Sequence, residues 1–349
     1  MQYSAGGKMQ KILIVTAEDG FFAQSKMPWS NMNVKRIKKY LEQRNHSVDI
    51  VTFSYIKKNF KEIKDCILIY TSSQRPEHKK YIEDVMYFVK DDNTLIPSYE
   101  NLLAHDNKGF QALLNHKYNL GMVECDYYCD LSELPENIET CFPLVYKSAN
   151  GASSMAVKLI NDYSQLQHAN SLPLIISNSE IKRFIKKYIF RARYNDKWEE
   201  YIKFGHSRFV LQKFIPNLKY DFKILIFGSK YYILKRFVAD NDFKASGSGL
   251  HSREMGDDLF IVLGFAKDVK SKIKSHIYSL DIGIKEGIPF LIEFQMTHVG
   301  PVTLTESDSY YEFNESNASW MKVESTSILE EEFSNAIKEY VNESNTYCP

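Results

Sequence analysis

Short apolar segments alternate with amphipathic segments along about the first hundred residues, and this alternation constrains the fold more than any other feature. Residues 11–16 (KILIVT), 46–53 (HSVDIVTF) and 66–70 (CILIY) have the apolar character of buried strands. Between the first two, residues 34–44 repeat apolar side chains at helical spacing. Strands that alternate with helices are typical of a parallel sheet. The sequence therefore predicts an α/β fold with a doubly wound parallel sheet at its N-terminal end.

The pattern changes after Pro97, where a polar segment interrupts the alternation. From there the sequence favours short paired strands and an α+β character, as in residues 221–236 around a Gly-Ser turn and in residues 142–160 around a small-residue loop. We expect this second hairpin to form a mobile lid. The predicted division is an N-terminal α/β domain, a middle lid subdomain and a C-terminal subdomain: residues 1–100, 101–205 and 206–349.

Composition argues against several classes of protein. The 44 Lys and Arg residues balance the 44 Asp and Glu residues, whereas a nucleic-acid-binding protein would carry a basic excess. The longest apolar runs are about eight residues, far short of the ~20 that cross a bilayer, and the first ten residues lack the apolar core of a secretory signal. Five cysteines without Cys-x-x-Cys spacing fit reduced thiols. We expect a cytoplasmic protein without a transmembrane segment or nucleic-acid partner; whether it forms a homodimer stays open.

Side chains with oxygen donors recur in residues 280–300. Asp281 belongs to one apolar strand, and Glu293 and Gln295 lie two residues apart on the next, so that period-two alternation places the latter two on one face. We expect this pair to converge with Asp281. Mg²⁺ is a hard cation that prefers a few carboxylates together with phosphate oxygens. The alternative interpretation is a solvent-facing strand edge with incidental acids.

Cationic side chains occur where a polyphosphate would need them. Lys147 ends a strand just before the small-residue loop of residues 148–154, whose backbone N–H groups can bind phosphate oxygens together with the ammonium group. Further members of this pattern are Lys108, Lys235, Arg236 and Lys244. Each alone would be an ordinary solvated side chain. Opposite a carboxylate cluster, several cations would hold a nucleotide.

The order of these motifs resembles the ATP-grasp superfamily, in particular its ribosomal-modification and glutamate-ligase-like branch of carboxylate–amine ligases. Residues 105–108 (HDNK) look like the family's helix lysine segment, and residues 142–147 (FPLVYK) look like its lid strand and phosphate lysine. Residues 210–215 (VLQKFI) resemble the hinge whose backbone binds adenine. The later matches are Asp221-Phe222-Lys223, residues 234–236, residues 242–246 and the set Asp281, Glu293 and Gln295.

The resemblance implies a role for each matched residue. The residues implied to bind ATP are Lys108, Lys147, Gln212, Lys213, Phe214, Ile215, Asp221 and Lys235. The residues implied to bind Mg²⁺, or Mn²⁺ in its place, are Asp281, Glu293 and Gln295. The implied catalytic residues are Arg236, Lys244 and Arg253. The departures from the family pattern are Gln295 in place of Asn, Lys213 in place of Glu and Ser246 in place of Asn.

The resemblance also implies an activity, that of an ATP- and Mg²⁺-dependent ligase. Such an enzyme activates a carboxylate as an acylphosphate and joins it to an amine, with release of ADP. Two alternatives stay open, a kinase of the same fold that phosphorylates a small molecule and an ATP-binding module without catalysis. The basic stretch of residues 181–203 suggests an anionic acceptor, so the carboxylate would be a small molecule, a sugar precursor or a peptide. The candidates for lining the acceptor site are Glu18, Asp19, Arg36 and Arg75.

Overall fold

The structure of the chain is a computed structural model that describes residues 10–26, 30–43, 46–149, 157–171, 185–191, 208–240 and 242–346. The chain divides into two compact units. The larger unit comprises Met1–His105, Tyr118–Gly121 and Asn217–Pro349, and the smaller unit comprises Asp106–Lys117 and Met122–Pro216. Within the described ranges, no helix combines the length and the apolar character that a membrane span requires. The three-part division at residues 100 and 205 stays a prediction.

A four-stranded parallel sheet forms the N-terminal part of the larger unit. Its strands are β1 (Ile12–Thr16), β4 (Val48–Thr52), β5 (Ile67–Ile69) and β6 (Thr94–Ile96), in the order β4-β1-β5-β6. A short hairpin of β2 (Gln24–Lys26) and β3 (Ser30–Asn31) follows β1. The helices of this part are α1 (Val34–Glu42), α2 (Phe53–Asn59), α3 (Pro76–Tyr87) and α4 (Tyr99–Ala104).

Both faces of the parallel sheet are buried at its centre. Ile12 and Ile14 of β1 belong to a core that includes α1 and the C-terminal helix of the chain. Leu13 and Val15 belong to a separate core with α2 and α3. Successive side chains of a strand point to opposite faces, so a strand that is apolar throughout requires cover on both sides. The predicted doubly wound parallel sheet is confirmed.

The smaller unit contains an antiparallel sheet of order β7-β10-β8-β9. Its elements are α5 (Lys108–Tyr118), β7 (Cys125–Tyr128), β8 (Leu144–Ser148), β9 (Val157–Ile160), α6 (Tyr163–Ser171) and β10 (Phe209–Lys213). The rings of Tyr146 and Phe209 stack in its core, with 5.4 Å between centroids. β8 pairs with β9, as the hairpin prediction for residues 142–160 required. The tip of that hairpin, residues 150–156, and most of the basic stretch 181–203 lie outside the described residues.

A seven-stranded antiparallel sheet of order β15-β14-β11-β12-β16-β17, with β13 beside β12, forms the C-terminal part of the larger unit. Its strands are β11 (Tyr220–Phe227), β12 (Lys230–Phe237), β13 (His251–Ser252), β14 (Ile277–Lys285), β15 (Ile288–Gln295), β16 (Ser309–Asn314) and β17 (Ser319–Glu324). The helices are α7 (Leu259–Lys272), α8 (Val302–Thr305) and α9 (Leu329–Thr346). β11 and β12 form the predicted hairpin around Gly228, whose φ of 56° is a left-handed conformation that glycine adopts without a Cβ clash.

Candidate active site

Polar side chains from four neighbouring strands meet on one face of the seven-stranded sheet. Asp221 of β11 pairs with Arg236 of β12, and Lys223 of β11 pairs with Asp281 of β14. Glu293 of β15 stands opposite Asp281. Directly paired residues of antiparallel strands point to the same face, and so do residues two apart along one strand. The cross-strand register therefore assembles these five residues, which we call the sheet cluster.

Four members of the sheet cluster form a continuous ion-pair network. Arg236 donates from Nε to Asp221 Oδ1 at 2.7 Å and from Nη2 to Asp221 Oδ2 at 2.8 Å. The same Nη2 lies 3.1 Å from Asp281 Oδ2, and Lys223 Nζ donates to Asp281 Oδ1 at 2.9 Å. These side chains are between 5% and 22% exposed. Two carboxylates thus fix the orientation of one guanidinium group in a largely water-excluded position.

The charges of the network shift the titration of its members. Burial disfavours the charged form of Asp281, but Arg236 and Lys223 outweigh it and hold the pKa of Asp281 well below its usual range. Burial also disfavours the guanidinium form of Arg236, yet Asp281 and Asp221 raise the pKa of Arg236 above its usual value. Asp281 is therefore an anion and Arg236 a cation throughout the neutral pH range.

Glu293 and Gln295 present the oxygen donors that a hard cation prefers. Gln295 stands opposite Ser279 on β14 and shares the face of Glu293, and both side chains are half-buried. Over the described ranges, no group of three or more His, Cys, Asp and Glu side chains could hold a metal ion. A metal at this face would instead take the carboxylates of Asp281 and Glu293, the amide oxygen of Gln295 and outside ligands such as phosphate oxygens. That donor set fits Mg²⁺ or Mn²⁺.

Lys235 lies on the opposite face of the sheet from Arg236. Its Nζ is 3.8 Å from the centroid of the Tyr220 ring and 5.6 and 5.9 Å from those of Phe222 and Phe237. An ammonium group over aromatic faces is held by cation–π attraction. The structure therefore does not bring Lys235, which the resemblance assigns to ATP, into the sheet cluster.

The loop after β12 carries the two other residues that the resemblance assigns to catalysis. β13 runs beside β12 and places His251 opposite Arg236, and Arg253 directly follows β13. Lys244 Nζ lies 5.6 Å from the centroid of the Phe243 ring. Lys244 and Arg253 are both half-buried. The loop thus returns to the strand of Arg236, but neither side chain joins the ion-pair network formed by the described residues.

In the smaller unit, Lys147 and Gln212 share one face of the sheet. Lys147 of β8 pairs with Val210 of β10, while Gln212 of β10 pairs with Val145 and with Cys125 of β7. Lys147 is 7% exposed and Gln212 is 5% exposed. Burial raises the pKa of the Cys125 thiol to about 11, and the charge of Lys147 opposes that rise. A buried ammonium group is uncommon in proteins, so this face of the sheet is a candidate functional surface.

The other predicted ATP-binding residues of the smaller unit lie at element ends. Lys108 opens α5, is 9% exposed, and its backbone N–H donates to the carbonyl of Ala149 just beyond β8. Lys213 ends β10, and its Nζ lies 3.5 Å from a carboxylate oxygen of Glu124. Phe214 and Ile215 follow directly. Their backbone groups therefore lie beyond the end of the strand.

A cavity of about 770 Å³ lies at the carboxyl end of the parallel sheet, and we call it the strand-end cavity. Its walls include residues 17–19, 21 and 22 after β1 and residues 71–75 after β5. The Thr71 hydroxyl donates to the carbonyl of Phe22 and so joins these two segments. The direction of the crossovers reverses between β1 and β5, which is the position where open α/β sheets bind ligands.

The strand-end cavity contains three of the four residues expected to line an acceptor site, namely Glu18, Asp19 and Arg75. Arg36 lies on α1 beside the ring of Tyr40 and does not contribute to the lining.

His298 also lines the strand-end cavity, where it is 4% exposed and stacks on Phe21 with 6.4 Å between ring centroids. It lies three residues after Gln295. The end of β15 therefore leads directly from the predicted metal-binding residues to the cavity.

The chain thus combines a parallel α/β sheet, an antiparallel unit with buried lysine residues, and a second antiparallel sheet with carboxylates and a guanidinium group on one face. No family model and no curated protein matches the sequence. Solved structures do match it. D-alanine–D-alanine ligase from Bacillus anthracis in complex with ATP has a TM-score of 0.54 and 15% identity, over 97% of this chain and 99% of that chain.

Two further solved structures are similar in fold to this chain. The ADP complex of N5-carboxyaminoimidazole ribonucleotide synthetase has a TM-score of 0.53 and 11% identity, over 95% of this chain and 77% of that chain. D-cycloserine synthetase has a TM-score of 0.51 and 11% identity, over 94% of this chain and 98% of that chain. The predicted ATP-grasp fold is confirmed.

Proposed function

We propose that the chain is an ATP- and Mg²⁺-dependent, ADP-forming ligase that joins a carboxylate to an amine. The observation that carries the proposal is the register that places Arg236, Asp281 and Glu293 on one sheet face. Support comes from the shared fold, which is also the fold of D-alanine–D-alanine ligase and of D-cycloserine synthetase. Paired carboxylates beside an oriented cation suit the transfer of a phosphoryl group, which needs charge compensation more than a protein nucleophile.

The chemistry follows from the poor electrophilicity of a carboxylate. Transfer of the γ-phosphoryl group of ATP to a carboxylate oxygen yields an acylphosphate and ADP. The amine nitrogen then attacks the acyl carbon, phosphate leaves with the former carboxylate oxygen, and the nitrogen loses a proton to give the amide. The protein must orient both substrates and neutralise the charge of the transferred group.

Arg236 is the proposed catalytic cation. Its Nε and Nη2 groups are engaged by Asp221 and Asp281. A guanidinium group has five N–H donors, and among the described residues the ion pairs of Arg236 engage Nε and Nη2, so the two N–H groups of Nη1 can donate to a phosphoryl oxygen. Asp221, which the resemblance assigns to ATP, would then act through Arg236 by fixing its orientation.

Asp281, Glu293 and Gln295 are the proposed metal-binding residues. Mg²⁺, or Mn²⁺ in its place, would supply charge neutralisation for the phosphate oxygens when bound there. Lys223 holds one oxygen of Asp281 and keeps this carboxylate ionised and in place.

The remaining residues, apart from Lys235, have proposed roles within their own units. In the smaller unit, the ammonium groups of Lys108 and Lys147 would bind phosphate oxygens. The residues proposed to contact adenine are Gln212, Lys213, Phe214 and Ile215. In the larger unit, Lys244 and Arg253 would bind the carboxylate substrate, which suits their position on the loop beside β12.

The test is ATP turnover in the presence of carboxylate and amine pairs. ADP, phosphate and amide should form in equal amounts, and Glu293→Ala should lower kcat by at least about a hundredfold, as the loss of a transition-state contact does. Glu324→Ala removes an exposed carboxylate from β17 of the same sheet and should leave kcat unchanged.

Three results would contradict the ligase assignment. Equal turnover in Glu293→Ala and in the unaltered protein would show that Glu293 is not part of a catalytic site. A stable phosphorylated product formed without any amine would indicate a kinase. A rise in Tm with ATP and Mg²⁺, without release of ADP, would indicate a binding module.

A further inference from the structure

The strand-end cavity has the size and lining of a small-molecule site. Its volume of about 770 Å³ falls within the ~300–1,000 Å³ that such sites occupy. Most of its lining surface is apolar, and its aromatic and aliphatic side chains include Phe21, Phe22, Phe53, Tyr81 and Ile82. A ligand that fills this space would therefore carry an apolar body.

One wall of the cavity is polar. Ser72 follows β5, is 3% exposed, and its hydroxyl has no hydrogen-bond partner within the described ranges of the chain. Such a buried hydroxyl is destabilising unless a ligand or water pairs with it. The 12-residue helix α3 begins four residues later, and its N-cap, Arg75, makes no side-chain hydrogen bond to the first turn. The N–H groups in the first turn of a helix have no partner inside that helix, so this end of a helix favours an anion.

The charges around the cavity strengthen this polarity. Four charged side chains line it: Glu18, Asp19, Lys57 and Arg75. The Glu18 carboxylate accepts a backbone N–H of α2 at 3.2 Å, and the Asp19 carboxylate accepts a backbone N–H of its own loop at 3.0 Å. Lys57 Nζ lies 5.8 Å from an aromatic ring centroid of α3. Within the described part of the chain, the Arg75 guanidinium group has no carboxylate partner. It can therefore pair with an anionic ligand.

Resting on the ligase function above, we propose that one substrate is a hydrophobic carboxylate that binds in the strand-end cavity. Its aromatic or branched aliphatic body lies among the phenylalanine side chains. Its carboxylate accepts hydrogen bonds from the Ser72 hydroxyl, the Arg75 guanidinium group and the first turn of α3. Because His298 lines the cavity three residues after Gln295, a ligand bound here lies at the end of the strand that carries Glu293.

Calorimetric titration of the full chain without ATP tests the proposal directly. N-acetyl-L-phenylalanine should bind, N-acetyl-L-phenylalanine amide should bind at least about tenfold more weakly because it lacks the charge, and acetate should not bind because it lacks the apolar body. Equal affinity for the acid and the amide would overturn the carboxylate assignment. Tighter binding of phenyl phosphate than of the acid would overturn it in favour of a phosphate ester.

Variants locate the binding. Arg75→Gln should weaken binding of the acid by roughly tenfold to a hundredfold, as expected for a charge-assisted hydrogen bond, and leave binding of the amide unchanged. Arg36→Gln is the matched control, a helix arginine outside the cavity, and should bind both probes as the unaltered protein does. Retention of amide binding by Arg75→Gln shows that the cavity is intact, and Arg75→Lys should recover part of the affinity for the acid.

The two proposals fail in different measurements. Undiminished affinity for the acid in Arg75→Gln would refute the cavity assignment and leave the Glu293→Ala turnover test untouched. A chain that binds the acid through Arg75 but releases no ADP would refute the ligase function and leave the ligand class standing.

Discussion

The two sheets of the larger unit carry their polar side chains in different places. In the parallel sheet, β1 and β5 are buried along their whole length, and polar residues such as Glu18 and Ser72 come just after the strands. In the antiparallel sheet, Asp221, Asp281 and Glu293 lie within the strands themselves. Crossover helices cover both faces of a parallel sheet, whereas hairpin-connected strands can leave part of a face uncovered. The type of connection therefore decides where a sheet can hold functional groups.

This difference suits the proposed division of labour. Side chains on paired strands are spaced by the backbone ladder, which fixes an ion-pair network such as the sheet cluster. The geometry of a phosphoryl group is the same for every substrate, so a fixed site serves it well. Loops at strand ends vary readily in length and sequence, and a cavity built from them can be shaped for one substrate.

The largest effect on stability is expected when the ion-pair network of the sheet cluster loses Arg236, its central cation. Arg236→Met leaves the carboxylates of Asp221 and Asp281 close together without their bidentate partner. Because the arginine is only 16% exposed, we expect the free energy of unfolding to fall by about 3–5 kcal/mol. Urea denaturation measures this fall in the free energy of unfolding. Arg36→Met on α1 is the control, and a loss below about 1 kcal/mol in Arg236→Met would mean that the network is solvated.

The parallel sheet should respond differently, because neighbouring residues of one strand are equally buried. Leu13→Ala and Ile14→Ala remove adjacent side chains from opposite faces of β1, where they are 3% and 0% exposed. Each should cost about 2–5 kcal/mol in the free energy of unfolding. Ile50→Ala on the neighbouring β4, where the side chain is 39% exposed, should cost less than about 1 kcal/mol. A small loss for either β1 variant would show that one face of the sheet is uncovered.

The sequence predicted much of this contrast from local patterns. Residues 11–16 indicated a buried strand because apolar side chains are continuous there. Period-two alternation also predicted that Glu293 and Gln295 share a face, and the register agrees. Their proposed role as metal-binding residues stays a prediction, since it requires a ligand and not only a face.

The remainder depended on pairing between distant segments. Lys223 holds Asp281 across 58 positions of sequence, and no local periodicity specifies which residues of two strands stand opposite one another. The separation of Lys235 from Arg236 is different, because alternation alone requires adjacent strand residues to face opposite ways. The Thr-Ser-Ser segment at residues 71–73 offered a signal too, a run of hydroxyl groups between a strand and a proline that starts a helix.

A pH titration of stability can show how completely water is excluded from the covered part of the antiparallel sheet. His276 precedes β14, packs edge-on against Phe333 of α9 at 5.3 Å between centroids, and burial lowers its pKa to about 3. The unfolded chain binds a proton there below about pH 6.5, and the folded chain does not, so stability falls as pH decreases from about 6.5 to 3. Between pH 7 and 5 the loss from this residue should be about 2 kcal/mol.

The variant His276→Leu separates this contribution from the others. Its free energy of unfolding should depend on pH less steeply between 7 and 5, by about 2 kcal/mol in total, and should run parallel to that of the unaltered protein above pH 7. Asp281 does not interfere, because its lowered pKa means that its contribution is lost only below about pH 4. Identical pH profiles for the two proteins would place His276 in contact with water.

The smallest effect tests the assignment of faces itself. Lys235→Met removes the ammonium group from the Tyr220 ring but keeps an apolar side chain, so the free energy of unfolding should fall by only about 0.5–1 kcal/mol. Turnover and the affinity for ATP should stay within about twofold of the unaltered protein, because Lys235 and Arg236 point to opposite faces of β12. Arg236→Lys is the companion variant, in which a point charge replaces the bidentate donor, and it should lose most of the turnover. Lys235→Met could instead lose turnover as severely as Arg236→Lys. The reaction would then use the aromatic face of β12, and the face on which a residue lies would no longer identify the sheet cluster as the reaction site.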